Sequence, residues 1–252
     1  MASHAESSDP SAPEDAAAPP DDTPAAPVAS ALDDPEYRRG VVELLGVLAF
    51  GEISACERLV ADSQMAPDLR SKVEVATMAA AEFDHFEVLR DRLVEMGEDP
   101  FDAMEPFAAT FGDFHRKTKP ADFLEGLVKA FVGDGLAADF YREIAAYLDP
   151  VTRTTVIDTL SGTGHSEFVV EQVRAAIEAD PRVGGRLALW GRRLMGEALR
   201  QAQTLVAERD ALSAVLVGGV ETPGLDLTAI SRMFTRITEA HTERMARLGL
   251  AA

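Results

Sequence analysis

The sequence contains a single cysteine, Cys56, among 252 residues. One cysteine excludes an intramolecular disulfide and any zinc or iron–sulfur site built on several cysteines. Long uncharged apolar runs are missing as well, and the N-terminus has no basic segment followed by a short apolar one. We therefore expect no transmembrane helix, no signal peptide, no membrane partner and a cytoplasmic location. Any metal site must depend mainly on carboxylates and imidazoles.

Lysine and arginine are absent from residues 1–36, which carry nine acids and seven prolines. A segment of this composition cannot bury enough apolar surface to fold, so residues 1–33 are predicted to be a disordered acidic tail. Residues 34–252 are predicted to form one helical domain. The whole chain has a net charge of −19, yet residues 181–252 hold ten arginines against seven acids. This distribution argues against broad nucleic-acid binding and leaves room for a local anionic contact.

Strand signals are also scarce, because no sustained period-two alternation occurs, whereas four long segments carry apolar residues at helical spacing. The four predicted helices span about 35–64, 67–96, 120–149 and 150–180, and Asp34 is the expected N-cap of the first. The proline-broken, phenylalanine-rich segment between the second and third predicts a long crossover with a short helix. Two further helices are predicted at about 182–216 and 225–247. The predicted fold is all-α: a four-helix bundle (34–180) with a long crossover and two additional C-terminal helices within 181–248.

An internal repeat relates the first and third helices, where "LAFGEISACERL" corresponds to "KAFVGDGLAADFY". The alignment pairs Glu52 with Asp134. His85 lies 33 residues after Glu52, and His165 lies 31 residues after Asp134. Two matches in nearly the same frame indicate a duplicated helix pair.

Several polar residues interrupt the apolar stripes of these helices. In "AAAEFDHFEVL", Glu82 and His85 occupy stripe positions at a spacing of three, so both are predicted to face inward. Glu57 and Asp139 lie off their stripes and are predicted to face outward. The inward-facing candidates are Glu52, Glu82, His85, Asp134, Asp158 and His165.

Carboxylates buried together repel one another unless cations compensate them. Oxygen-rich sites that include imidazole favour iron or manganese over zinc. An alternative for Glu82 and His85 is a buried hydrogen-bonded pair that only fixes the helix register. His115 and His241 have no acidic partner in a comparable frame and are interpreted as structural or surface residues.

The order Glu, Glu-x-x-His, acid, His on four successive helices resembles the ferritin-like di-iron carboxylate proteins. More narrowly, "GEISACERL…AAAEFDHFEVLRDRL" and "GDGLAADFY…GTGHSEFVVEQVR" resemble actinobacterial ferritin-like proteins that are grouped with isopentenyl-adenosine tRNA hydroxylases. The resemblance implies a ferritin-like bundle with two iron ions. It makes Glu52 and Asp134 terminal ligands, Glu82 a bridging carboxylate, and His85 and His165 the nitrogen ligand of each iron.

One expected ligand is replaced, because Gly162 stands where the pattern has glutamate. Asp158, one turn earlier, is the candidate substitute, and one iron or none are the alternatives. The leading hypothesis is an oxygen-dependent hydroxylase that acts on a prenylated adenosine in tRNA or on a small hydrophobic substrate, with an electron donor as partner. Iron oxidation or storage, and a non-catalytic scaffold with a degraded site, are the other hypotheses. A monomer or dimer is expected rather than a cage.

Overall fold

The computed structural model describes residues 29–160, 166–217 and 227–252. Within these ranges the chain forms helices, turns and short connections, and no strand occurs there. The helices are α1 (Pro35–Asp62), α2 (Leu69–Glu95), α3 (Pro100–Met104), α4 (Ala108–Lys117), α5 (Phe123–Ala145), α6 (Pro150–Asp158), α7 (Ser166–Ala179), α8 (Pro181–Glu208), α9 (Asp210–Val217) and α10 (Leu227–Arg247). Short 3₁₀ segments cover Ala29–Asp33, Ser63–Met65 and Glu105–Phe107. No helix in the described ranges is long and apolar enough to cross a membrane.

Aspartate N-caps determine where the main helices begin. The Asp34 side chain accepts hydrogen bonds from the backbone N–H groups of Glu36 and Tyr37, at 2.7 and 3.0 Å, which confirms the predicted cap of α1. Asp68 and Asp122 cap α2 and α5 in the same way. α2 and α5 therefore begin directly after their capping aspartates, and not at Pro67 and Pro120, where their starts were predicted.

The predicted fourth helix over 150–180 is wrong as a continuous element. α6 ends at Asp158 and Thr159–Leu160 form a turn, while α7 begins at Ser166. The sequence between them contains Gly162 and Gly164, and each glycine weakens a helix by about 1 kcal/mol relative to alanine. Residues 161–165 lie outside the described part of the chain.

The helices pack as a bundle around two main hydrophobic clusters, and a smaller third cluster contains Met195, Met233 and Ile237. α1 packs along α2, whereas α5 packs against α6, α7, α8 and α10. Leu48 and Phe86 belong to the first cluster, and Leu59 and Ala79 belong to the second. Glu52 lies between Leu48 and Leu59 on α1, at the level where the two clusters meet. This boundary positions the candidate site.

Candidate metal centre

Glu52, Glu82 and His85 converge at the boundary between the two clusters. Each offers one ligand atom, and these atoms all lie within 4.8 Å of one another. His85 Nδ1 lies 3.6 Å from Glu52 Oε2 and 4.0 Å from Glu82 Oε2. The spacing of three between Glu82 and His85 places both side chains on the face of α2 that packs against α1. The inward orientation predicted for these three residues agrees with their positions.

The two glutamates share a poorly hydrated environment. Glu52 is 7% exposed. Burial is the main cause that raises the pKa of Glu82 to about 10, and a hydrogen bond with Glu52 and the charges of Glu52 and Asp134 add to it. Glu82 therefore retains its proton at neutral pH in the metal-free protein, because a second carboxylate charge is unfavourable there.

The donor set fits a hard or borderline divalent cation. Two carboxylates and one imidazole match the ligand preferences of iron and manganese. A cation between Glu52 and Glu82 would replace the proton and offset both the burial of the carboxylate and its repulsion from Glu52, which raise the pKa of Glu82. Glu52, Glu82 and His85 are thus the residues that would hold such an ion.

Tyr141 supports Glu52 from α5. Its phenol donates a hydrogen bond to Glu52 Oε1 at 3.1 Å, and Tyr141 is 7% exposed. Burial and the charges of neighbouring carboxylates raise the pKa of Tyr141 well above its usual value, so the phenol remains a donor. Tyr141 therefore fixes one Glu52 oxygen and leaves the other directed toward His85. This hydrogen bond was not predicted from the sequence.

We expect Tyr141→Phe to lower the affinity for ferrous iron by about tenfold, because lost outer hydrogen bonds to ligands commonly cost 10–100-fold. Anaerobic titration with ferrous iron measures the effect. Tyr37→Phe is the matched control, since Tyr37 accepts a hydrogen bond from the Asp149 backbone elsewhere in the bundle. Equal iron affinity in wild type and Tyr141→Phe would show that the phenol only packs.

Asp134 reaches the same cavity but not the three-residue group. It lines the cavity beside Glu52 and Glu82, although its accessible surface classes it as exposed. Part of the exposed surface of Asp134 faces the cavity, which is wide enough to admit water. Burial, followed by the charge of Glu52, raises the pKa of Asp134. Asp134 is thus close enough to Glu52 to interact electrostatically with it.

The other predicted residues have different positions. The inward orientation predicted for Asp158 is wrong: α6 ends at this residue, which is exposed and is not among the residues that line the cavity. His165 and Gly162 lie outside the described residues, so the second nitrogen ligand stays a prediction. Glu57 is exposed, as the sequence predicted. Asp139 pairs with Arg244 and Arg142, away from the three-residue group.

A large apolar cavity adjoins the three ligand residues. Its volume is about 360 Å³. Most of its wall is hydrophobic and comes from α1, α2, α4, α5, α8 and α9. Representative wall residues are Leu48, Met78, Phe111, Phe131, Phe140 and Leu205. Such a space can hold a small hydrophobic molecule next to the carboxylates, since ligand pockets typically measure about 300–1,000 Å³.

A second polar group lies at another end of this cavity and was not predicted. His115 Nε2 lies 2.7 Å from Ser54 Oγ, and Lys129 Nζ lies 3.1 Å from His115 Nδ1. His115 was expected to be structural or at the surface. The available signal was Lys129, the single charged residue in the apolar run "GLVKAFVG".

Comparison with known proteins supports this architecture. Residues 35–219 match the model of a family described as "Ferritin-like domain, actinomycetes". The match covers α1 to α9, and so includes Glu52, Glu82, His85 and Asp134. No curated protein matches the chain at a significant level.

Proposed function

The chain belongs to the family of actinomycete ferritin-like domains, and from this premise we propose that it is an iron-binding, oxygen-activating protein that hydroxylates a hydrophobic substrate. The ferritin-like fold supports a di-iron type of protein in general. Glu52, Glu82 and His85 provide the candidate ligands. The remaining ligands of the proposal are Asp134 and His165.

The observation that carries the proposal is the apolar cavity beside the ligands. A protein that only oxidises iron needs a path for ions, which polar side chains line best. Here the ligand residues face about 360 Å³ bounded mainly by leucine, phenylalanine and alanine side chains. Such walls favour an apolar molecule over ions and orient it against the site. The geometry therefore favours oxidation of a bound substrate over iron storage.

The residues have separate roles in this proposal. Glu52 and Glu82 would hold iron through oxygen, and His85 through nitrogen. Tyr141 keeps Glu52 in position through its hydrogen bond. Glu82 gives up its proton when a cation binds. Oxidation of a C–H bond requires the reduction of dioxygen. Iron held there would supply this reduction, with electrons from an external donor.

Iron loading followed by exposure to oxygen tests the proposal. We expect the full chain, loaded anaerobically with ferrous iron and desalted, to retain about two iron ions per chain, as the ferritin-like di-iron architecture implies. Addition of oxygen should then give an absorption band of an oxo-bridged ferric pair. Retention of no iron would favour the non-catalytic scaffold. Continued uptake of iron into a cage-like oligomer would favour storage.

A prenylated adenosine in tRNA is the narrower substrate proposal. The net-positive residues 181–252 are in its favour. Many arginines there already have partners: Arg186 pairs with Glu125, Arg200 with Glu197 and Arg236 with Glu143. Absence of tRNA binding at low salt, where phosphate contacts are strongest, would remove tRNA and leave a small hydrophobic substrate.

A further inference from the structure

We propose that the apolar cavity binds an amphipathic molecule whose anionic head group, a carboxylate or phosphate monoester, contacts Lys129 and Arg58. The apolar chain of this ligand would extend from there toward Glu52 and Glu82. This inference adds a substrate class to the proposed function. It rests on that function only for the claim that the bound molecule is a substrate. The binding itself requires only residues of the described chain.

Lys129 is the central observation. A lysine that is 7% exposed is unusual, because an ammonium group loses its hydration on burial. Its amine donates hydrogen bonds to Thr118 O at 2.9 Å and to His115 Nδ1 at 3.1 Å. An ammonium group has three N–H donors, so these contacts with described residues leave one for a ligand. The Nζ atom also lies 5.6 Å from the centre of the Phe114 ring.

His115 is held as a neutral ring that prolongs this polar group. Since Lys129 donates to Nδ1, the ring proton lies on Nε2 and is donated to Ser54 Oγ at 2.7 Å. Burial, followed by the charges of Lys129 and Arg58, lowers the pKa of His115 to about 3. The hydroxyl of Ser54 is thus a further donor for an oxygen of the head group.

Positive charge exceeds negative charge around this group. The nearby carboxylates are Asp62, whose pKa burial raises, and exposed Glu57, which pairs with Arg58. Desolvation lowers the pKa of Lys129 to about 8; the charge of Asp62 opposes this shift and the charge of Arg58 adds to it. The two cations therefore repel each other across a poorly hydrated space. An anion between them would relieve this repulsion, in the same way that a cation would relieve the repulsion between Glu52 and Glu82.

The position of the basic group supports a ligand that enters from the surface. Arg58, Asp62, His115 and Lys129 line both the apolar cavity and a second cavity. The second cavity is also lined by exposed Lys119 and Arg116. Its walls thus carry four cationic side chains against the carboxylates of Glu57 and Asp62. These charges would attract an anionic head group to the place where the two cavities meet.

The spacing between the two polar ends fits a chain of medium length. Glu52 and Arg58 are six residues apart on α1, which corresponds to about 9 Å along the helix axis. Lys129 and Asp134 are five residues apart on α5, or about 7–8 Å. Apolar side chains such as Phe131 line the cavity between these ends. A head group at Lys129 would therefore place carbon atoms well along the chain beside the candidate ligands.

Calorimetric titration of the full, metal-free chain tests this inference. The probes are decanoate, decyl phosphate and 1-decanol. We expect decanoate or decyl phosphate to bind at least tenfold more tightly than 1-decanol, and the tighter of the two identifies the head group. Equal or tighter binding of 1-decanol would overturn the inference.

Two variants locate the head group. We expect Lys129→Met to weaken binding of the preferred anion at least tenfold and to leave 1-decanol unchanged. Arg58→Gln changes a half-exposed side chain. This variant should weaken binding of the preferred anion at least threefold, and it remains informative if Lys129→Met does not fold. Lys72→Met is the control, because Lys72 is exposed on α2 and bonds to Gln64. Unchanged anion binding in Arg58→Gln and in folded Lys129→Met would overturn the assignment.

The same samples separate this inference from the proposed function. Lys129 and Arg58 are not candidate metal ligands, so iron stoichiometry should be the same in these variants as in wild type. Anion binding without iron retention would sustain the ligand site and remove the hydroxylase proposal. Iron retention with equal affinity for decanoate and 1-decanol would remove the ligand site and sustain the iron-binding part of the proposed function.

Discussion

Glu82→Gln is expected to lower the affinity for ferrous iron by about 100-fold or more. The amide keeps the size of the carboxyl group but removes an anionic oxygen from the group formed by Glu52, Glu82 and His85. Loss of an outer hydrogen bond to a ligand already costs about 10–100-fold, so loss of a ligand should reach at least the upper part of that range. Anaerobic titration with ferrous iron, with bound metal measured after desalting, gives the affinity and the stoichiometry.

Glu57→Gln is the matched control for this experiment. Glu57 belongs to α1, five residues after Glu52, but its side chain is exposed and pairs with Arg58. Both substitutions replace a carboxyl group with an amide of the same size, so a general effect of this replacement would appear in both variants. We expect Glu57→Gln to bind iron as the wild type does. Similar losses in the two variants would contradict a site centred on Glu82.

The convergence of Glu52, Glu82 and His85 could be predicted from the sequence because it depends on local periodicity. The helical repeat determines which positions share a face, and an acid within an apolar stripe must face the partner helix. α1 and α2 are long, well capped and joined by a short connection, so their apolar faces meet. The convergence of three candidate ligands from one helix pair therefore follows from sequence spacing.

The second half of the site depends on features that periodicity does not determine. The predicted fourth helix is interrupted after Asp158, so the spacing from Asp158 to His165 cannot be converted into a shared helix face. Asp134 faces the cavity, but its distance from the other ligands depends on how α5 packs against α1. Such packing results from many contacts between distant residues. The repeat indicated a symmetric site, whereas the described residues bring together candidate ligands from the first helix pair.

The basic group shows a different limit of sequence reasoning. Ser54 comes from α1, His115 from the crossover helix α4 and Lys129 from α5, so no single stripe contains them. His115 had no acidic partner at helical spacing, and that absence suggested a structural role. Its partners are instead a hydroxyl and an amine from other helices. Lys129 alone carried a signal, because a charge within an apolar run requires partners or a ligand.

Glu82 is expected to make the metal-free protein less stable as the pH rises, and Glu82→Gln is expected to remove this contribution. The pKa of Glu82 is 4.5 when exposed and about 10 in the fold, so the folded state binds the proton more tightly. The corresponding stabilisation is complete below about pH 4.5 and decreases as the pH rises toward 10. One such group changes the free energy of unfolding by on the order of 1 kcal/mol per pH unit in this window.

The comparison between wild type and Glu82→Gln isolates this carboxyl group. Other groups also titrate: the lowered pKa of His115 makes stability increase between about pH 3 and 6.5, and the lowered pKa of Lys129 does so above about pH 8. Both effects are present in the two proteins and cancel in their difference. Urea unfolding at pH 5, 6.5 and 8, with chelator present, should show that Glu82→Gln becomes progressively more stable than wild type as the pH rises. Glu57→Gln should follow the wild type at every pH.

The sign of this effect distinguishes a metal ligand from a structural pair. If Glu82 and His85 only fixed the helix register, the amide would disturb a native hydrogen bond and lower stability, or leave it unchanged, at every pH. A ligand site has the opposite behaviour, because it keeps two carboxyl groups together at the expense of the metal-free fold. A single substitution that stabilises the metal-free protein at pH 8 and abolishes iron binding cannot result from general damage to the bundle. Lower stability of Glu82→Gln at pH 8 would instead support the register role.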